Sequence, residues 1–202
     1  MKRLILVLVA GLIGFGFSAD LKPYFRLSGG VAALHDIDVD TQGIDDIGTD
    51  TGYVLGAAAG LGFAEVPVRV EFEFFYQQYD MDHIKDNTGV VIDKGNRLST
   101  RAFMLNGYYD FKNKSTVTPY VMSGAGVVRA KARTKNLGSD SDTLMAFQLG
   151  AGVDFKIDEN VSLDLGYRFM MTAAPDFKFA GNNLDVDEIM GHRVELGIRY
   201  TF

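Results

Sequence analysis

The chain has 202 residues, no cysteine and a formal net charge of −6 at pH 7. Without cysteine it can have neither disulfides nor thiol chemistry. Its acidic composition makes it a poor candidate for binding nucleic acid, whose phosphates require a basic surface.

The first predicted element is a secretory signal peptide at residues 1–19. Two basic residues precede an apolar run at residues 4–17, and small residues follow it. A transmembrane helix needs about 20 apolar residues, so an uncleaved anchor is the less favoured alternative. A cut after Ser18 competes with one after Ala19. The mature domain is predicted to occupy residues 20–202, which is a single-domain length.

Eight segments of alternating residues follow the signal peptide, with polar or turn-like stretches between them. A period of two residues predicts β-strands with two different faces. The fourth and fifth segments are the least cleanly patterned. The segments cover about residues 22–34, 51–63, 68–79, 99–111, 118–131, 144–157, 161–172 and 192–202.

The connections between the segments alternate in length. Short turns are predicted at residues 64–67, 112–117 and 158–160, and long connections at 35–50, 80–97, 132–143 and 173–188. Short turns at one end and long loops at the other are typical of an outer-membrane barrel.

The two faces of the segments separate this barrel from a water-soluble sandwich or lipocalin-like barrel, which also alternates. The apolar series is broad, nearly free of charge and aromatic at its ends, as a lipid-facing band must be. The other series holds glycine and alanine among charges, which suits a narrow interior. The sequence therefore predicts an all-β, eight-stranded, antiparallel, transmembrane up-and-down β-barrel.

Four stretches resemble a known family: FQLGAGVDFKIDENVSLDLGYRF, NGYYDF, PYVMSGAGV and the C-terminal IRYTF. They are similar to the outer membrane protein β-barrel domain family, which includes opacity-type surface antigens and resembles the transmembrane domain of outer membrane protein A. The resemblance implies a location in the Gram-negative cell outer membrane and no single activity. It also implies a C-terminal signal for the outer-membrane assembly machinery, here Leu196, Ile198, Tyr200 and Phe202.

Catalytic, cofactor and metal sites are not predicted. The three histidines lack the spacing of metal ligands, and no set of nucleophile, base and orienting residue is visible. The protein is therefore not expected to be an enzyme. The histidines are His35, His83 and His192.

An alternating acidic stretch in the first long connection suggests a calcium loop. Asp36, Asp38 and Asp40 alternate, but Thr41 and Ile47 stand where an EF-hand loop needs Gly and Glu. A strand with one acidic face is the favoured interpretation, and weak binding of divalent ions by the carboxylates is the alternative.

Nine charged residues are predicted to point into the barrel. An eight-stranded barrel has an interior just wide enough for its own side chains, and an unpaired buried charge costs several kcal/mol. These charges are therefore expected to pair, with Gly60 and Ala58 giving space to the carboxylates opposite them. The predicted lumen charge network is Arg26, Arg69, Glu71, Glu73, Asp164, Arg168, Arg193, Glu195 and Arg199.

Two arginines are predicted on the opposite, lipid-facing side. The turn centred near Ser115 places Arg101 and Arg129 about opposite each other, at the loop-side ends of the fourth and fifth segments. With Lys131 they are candidate contacts for lipopolysaccharide phosphate, because guanidinium groups pair with phosphate bidentately. Ordinary snorkelling of cations at the membrane interface is the slightly favoured alternative.

Two functions follow for such a barrel. The first is a structural or adhesive surface protein whose four long loops meet an extracellular partner. The second is a small-solute or ion pore of the porin type. The four long connections contain sixteen acidic and six basic residues, which suits a cationic partner and disfavours sulfated glycans.

Overall fold

The computed structural model describes most of the chain beyond the predicted signal peptide. The described residues are 21–34, 44–48, 51–81, 83–86, 91–93, 96–134, 138–173, 176–179, 182–185 and 190–202. The predicted signal peptide and the calcium-loop candidates Asp36, Asp38 and Asp40 lie outside them.

Eight long strands of the described chain close into an antiparallel barrel, in which each strand pairs with the next and the last pairs with the first. The predicted fold class is therefore confirmed. In chain order the barrel strands are β1 (Leu21–Leu34), β2 (Gly52–Phe63), β3 (Val68–Met81), β4 (Asn96–Asp110), β5 (Val117–Thr134), β6 (Gly138–Lys156), β7 (Val161–Thr172) and β8 (Met190–Thr201).

The seam between β1 and β8 closes the barrel. Its register runs from Tyr24 opposite Thr201 to Leu34 opposite Gly191, and the amide of Phe202 donates to the carbonyl oxygen of Pro23 at 3.0 Å. Closure is required because an open sheet edge in lipid would leave backbone groups without partners.

Side-chain burial follows the two-residue period along each strand. In β8, Leu196 and Ile198 are 56% and 57% exposed, whereas Arg193 and Glu195, which belong to the other face of the strand, are buried. The fourth and fifth predicted strands obey the same rule, since Leu105 stands on the outer face and its neighbours in β4 point inward. The apolar series thus forms the outer surface, and the polar series fills the interior.

The predicted connection at residues 132–143 is wrong. β5 continues to Thr134, β6 begins at Gly138, and the two strands pair up to those ends. β3 and β4 likewise reach Met81 and Asn96. Residues 132–143 lack a regular alternation of apolar and polar residues, so the two-residue period that predicts strands fades there.

Further short strands belong to two small sheets outside the barrel, which the sequence pattern did not predict. They are Ile44–Gly48, His83–Asp86, Val91–Asp93, Asp176–Phe179 and Asn182–Asp185. The described part of the chain contains no helix that is both long and apolar enough to cross a membrane.

Candidate functional site

The centre of the barrel interior is organised around the carboxylate of Glu73 on β3. Nη1 of Arg168 donates to its two oxygens at 2.8 and 2.7 Å, and Nη2 of Arg26 donates at 3.0 Å. Nδ2 of Asn106 and Nε2 of Gln148 donate to Oε2 at 2.8 and 3.1 Å. All five side chains are buried, so one carboxylate joins four strands besides its own.

Arg26 extends this cluster from β1. Its guanidinium lies 3.3 Å from Glu71, 3.3 Å from Asp164 and 3.5 Å from Glu195, in addition to its bond to Glu73. Four carboxylates from three strands therefore surround one buried cation, the arrangement that a buried charge requires.

Arg193 and Glu195 complete the cluster from β8. Nε of Arg193 lies 3.2 Å from Oε1 of Glu195, and its Nη2 donates to Oε1 of Gln148. The guanidinium of Arg193 also lies 3.8 Å from the ring centroid of Phe75, a cation–π contact. Oγ of Ser28 donates to Glu195 at 2.8 Å.

A second group of charges lies nearer the short turns. Nε of Arg69 donates to both oxygens of Asp110 at 2.8 and 3.0 Å. Oδ2 of Asp154 lies 3.4 Å from Arg69 and 2.7 Å from Nη1 of Arg199. The guanidinium of Arg69 stands 4.4 Å from the ring centroid of Tyr108.

Tyrosines connect the two groups of charges. The hydroxyl of Tyr108 donates to Glu71 at 2.7 Å and accepts from Arg168 at 3.1 Å, and Tyr24 donates to Glu71 at 3.1 Å. Glycine makes room for these rings, because a Cβ on Gly60 would collide with Tyr24. The small residue opposite Glu71 is thus needed for the close approach of the Tyr24 ring.

The structure places all nine predicted lumen charges in the interior, but in two groups. Seven join the central cluster, whereas Arg69 and Arg199 lie in the group near the turns. The sequence prediction missed two acids of that second group, Asp110 and Asp154. Asp154 occupies an inward position of a cleanly alternating segment, so counting parity through that segment would have found it.

An apolar layer, which the alternation in the sequence does not predict, covers the charged cluster on its loop side. Phe75 follows Glu73 by two positions along β3, and Met170 likewise follows Arg168 along β7, so both lie above the charges. A break in the alternation of β3 could have indicated this layer, because Phe75 stands between two other aromatic residues, Phe74 and Tyr76. The layer consists of Val54, Phe75, Ala102, Met104, Val128, Ala146 and Met170, all buried.

The predicted phosphate-contact residues lie on the outer face. Arg101 and Arg129 are directly opposite each other in the register of β4 and β5, and both are exposed. Nη2 of Arg129 donates to Oγ of Ser141 on β6 at 3.2 Å. Lys131 is exposed two positions beyond Arg129 and is paired with Ser141 in register.

The four residues of the predicted assembly signal stand together on the outer face of β8. Leu196, Ile198, Tyr200 and Phe202 are all exposed, and the rings of Tyr200 and Phe202 lie edge to face with centroids 5.2 Å apart. The last residue therefore continues the outer apolar surface to the end of the chain.

A closed barrel with an apolar outer surface, a charged interior and short turns at one end is an outer-membrane β-barrel protein. Residues 4–202 match the family model described as outer membrane protein beta-barrel domain. The chain belongs to that family, and its location in the outer membrane follows.

Relatives and solved structures agree with this assignment. Outer membrane protein PagN of Salmonella typhimurium is 25% identical over 175 residues, which cover 74% of this chain and 73% of that protein. Neisserial surface protein A has a TM-score of 0.63 at 18% identity, covering 89% of this chain and 97% of that one. Ail, the attachment invasion locus protein of Yersinia pestis, in complex with the heparin analogue sucrose octasulfate, has a TM-score of 0.50 at 16% identity, covering 89% and 99%. The two structures show the shared fold alone.

Proposed function

We propose that the protein is a surface barrel with a closed lumen, which acts through its extracellular loops in a structural or adhesive role. One observation carries the proposal: the interior is filled by buried side chains whose charges are paired. Glu73 and Arg168, at the centre, are at most 1% exposed and linked by two hydrogen bonds. A role of this kind requires no catalysis.

A small-solute or ion pore is the competing function. A pore needs a continuous polar path, and two features oppose one. An entering ion would have to separate guanidinium–carboxylate pairs in a region of low dielectric constant, where each unpaired charge costs several kcal/mol. It would also have to cross the apolar layer around Phe75 and Met104, whose side chains offer no ligands.

Purified protein in planar bilayers is therefore expected to show no steady single-channel steps. The reason is that the paired charges and the apolar layer lie in series along the lumen. The measurement is current at fixed voltage over a range of salt concentrations, with the boiled, unfolded sample as a control. Steady ohmic steps whose size grows with salt concentration would favour the pore instead.

The loops supply the chemistry that an extracellular partner would meet. The loop-side stretches at residues 35–50, 80–97, 132–143 and 173–188, which include the paired ends of β5 and β6, hold sixteen acids and six bases and so have a net negative charge. Complementary charge speeds and directs association, so we infer a cationic partner surface. Ail was solved with a sulfated heparin analogue, and the acid-rich loops of this chain favour ligands of the opposite charge.

Whole-cell binding with altered loops tests this inference. The connection at residues 35–50 holds six acids and no base, whereas residues 132–143, at the loop-side ends of β5 and β6, hold two of each. Changing the six Asp of the first connection to Asn is expected to reduce salt-sensitive binding of a lysine-rich peptide strongly. Changing only two Asp of the first connection should reduce binding measurably, whereas the matched change of the two Asp in 132–143 should have little effect. Heparin binding that exceeds peptide binding would contradict the inferred partner chemistry.

A further inference from the structure

We propose that Arg101 and Arg129 form a phosphate clamp on the lipid-facing surface, with Lys131 as a third cation, and that its ligand is the phosphorylated lipid of lipopolysaccharide. The proposed function of the loops and the closed lumen does not involve these residues. Four independent features of the outer surface support the clamp.

The first feature is the direct opposition of two like charges. Arg101 and Arg129 are cross-strand partners in β4 and β5, and like charges in that position destabilise a sheet. Within the part of the chain that the structure describes, Arg101 makes no hydrogen bond or ion pair, and Arg129 donates to the neutral hydroxyl of Ser141. An anion bound between the guanidinium groups would remove this repulsion.

The second feature is the height of the pair above the turns. Ten residues separate Arg101 from Phe111 at the turn end of β4. At about 3.3 Å per residue and a tilt of about 40°, these residues span roughly 25 Å, which is about the height of the apolar band of such barrels. The arginines therefore lie where lipid tails give way to headgroups in the outer leaflet.

The third feature is the one-sided distribution of charge. At the same distance from the turns, β7, β8 and β1 present Met171, His192 and Val31 outward. Cations that merely snorkel to the membrane interface could stand on any strand. Among the described outward positions of the eight strands, however, the Arg and Lys residues stand on β4 and β5 alone. Basic residues that are confined to two adjacent strands indicate a local binding site, not a ring of cations around the whole barrel.

The fourth feature is the lack of acidic residues among the outward positions of β4, β5 and β6 that the structure describes. The described outward positions of β4, β5 and β6 carry no Asp or Glu, and the nearby Asp142 belongs to the inward-facing series. Two guanidinium forks on one face match the oxygens of a phosphate monoester bidentately. The lipid side of the site is supplied by the apolar surface below it, including Phe103 and Val127, which are 48% and 44% exposed.

The test compares R101Q/R129Q with the matched control K114Q/K156Q, which removes the same charge from exposed lysines at the turn end. Each protein is purified in a non-ionic, phosphate-free detergent and titrated with lipid A carrying both phosphates. Binding and the midpoint of thermal unfolding on unboiled gels are measured. We expect about tenfold weaker binding and a smaller rise in midpoint for R101Q/R129Q, because charge-assisted bonds to phosphate are lost. The lysine control should match wild type.

Three further arms identify the ligand. Dephosphorylated lipid A, phosphatidylglycerol and inorganic phosphate are each titrated into the wild-type protein, and all three are expected to bind more weakly than phosphorylated lipid A. R101K/R129K keeps the positive charge but loses the forked geometry of the guanidinium groups, so an intermediate affinity for lipid A is expected. This variant also keeps the test valid if R101Q/R129Q does not fold. Equal affinity of R101Q/R129Q and wild type, or equal wild-type affinity for dephosphorylated lipid A, overturns the clamp. Equal affinity for inorganic phosphate or phosphatidylglycerol overturns the selection of lipopolysaccharide.

Discussion

Replacing Glu73 with Gln is expected to lower the free energy of unfolding by about 3–5 kcal/mol, the usual cost of removing one partner of a buried ion pair. The change keeps the shape of the side chain but leaves Arg168 and Arg26 without their nearest shared carboxylate. The measurement is a urea titration in lipid vesicles, with the folded fraction scored by gel mobility without boiling.

Two further variants separate the charge effect from general disturbance. Glu65→Gln changes an exposed carboxylate in a short turn and should alter stability by less than about 0.5 kcal/mol. The double variant E73Q/R168Q removes the cation along with its partner, so it should be less destabilised than the sum of its single changes. A Glu73→Gln variant as stable as the Glu65 control would show that the central cluster contributes no net stabilisation.

The sequence predicts which side chains point into the lumen because apolar and polar residues alternate over most of three strands. In β7, in β3 from Val68 to Tyr76 and in β8 from Val194 to Tyr200, an apolar residue stands at every second position, so each charge near them has one possible direction. Glu71, Asp164 and Arg193 follow directly from that rule. The location of the barrel and its strand number follow from the same pattern together with the connection lengths.

The partners of those charges could not be predicted from the pattern. Arg26 on β1 contacts Glu73 on β3, and these strands are not neighbours in the sheet. Contacts across the lumen depend on the stagger of the closed sheet and on side-chain length, and neither is encoded in a two-residue period. The apolar layer could not be predicted for a related reason. Phe75 and Met104 stand at inward-facing positions among polar residues, and they leave the two-residue spacing of that series unchanged.

The register that places Arg101 opposite Arg129 was predictable because it depends on one short turn. Counting outward from Ser115 places Arg101 and Arg129 about opposite each other, and the strands pair them directly. Long connections allow no such count, which is why the sequence predicts a loop at the paired ends of β5 and β6, residues 132–134 and 138–143. Local geometry is thus recoverable from sequence where the chain between two residues is short and regular.

Deleting Tyr200–Phe202, or changing Phe202 to Asp, is expected to reduce folded protein in the outer membrane by at least about tenfold. The deletion removes the pairing of Thr201 with Tyr24 and of Tyr200 with Phe25, and with it the hydrogen bond from Phe202 to Pro23. Each backbone group left without a partner in lipid costs several kcal/mol, and about 1.4 kcal/mol already changes an equilibrium tenfold. Phe202→Asp keeps these backbone bonds, and its effect is expected because the proposed assembly signal ends on this aromatic side chain. The measurement is the compact, unboiled species in outer-membrane fractions.

The matched control for the point variant is Phe111→Asp, which places the same charge at another exposed aromatic on the turn side of the barrel. Phe111 lies outside the closing strand, so its loss should weaken only the interfacial contact of one ring and lower the folded amount slightly. A large loss for Phe202→Asp and a small one for Phe111→Asp would tie assembly to the closing strand itself. Unchanged levels of the compact species after the Phe202 change would refute the role of Leu196, Ile198, Tyr200 and Phe202 as an assembly signal, because the barrel would then close and insert without its last aromatic residue.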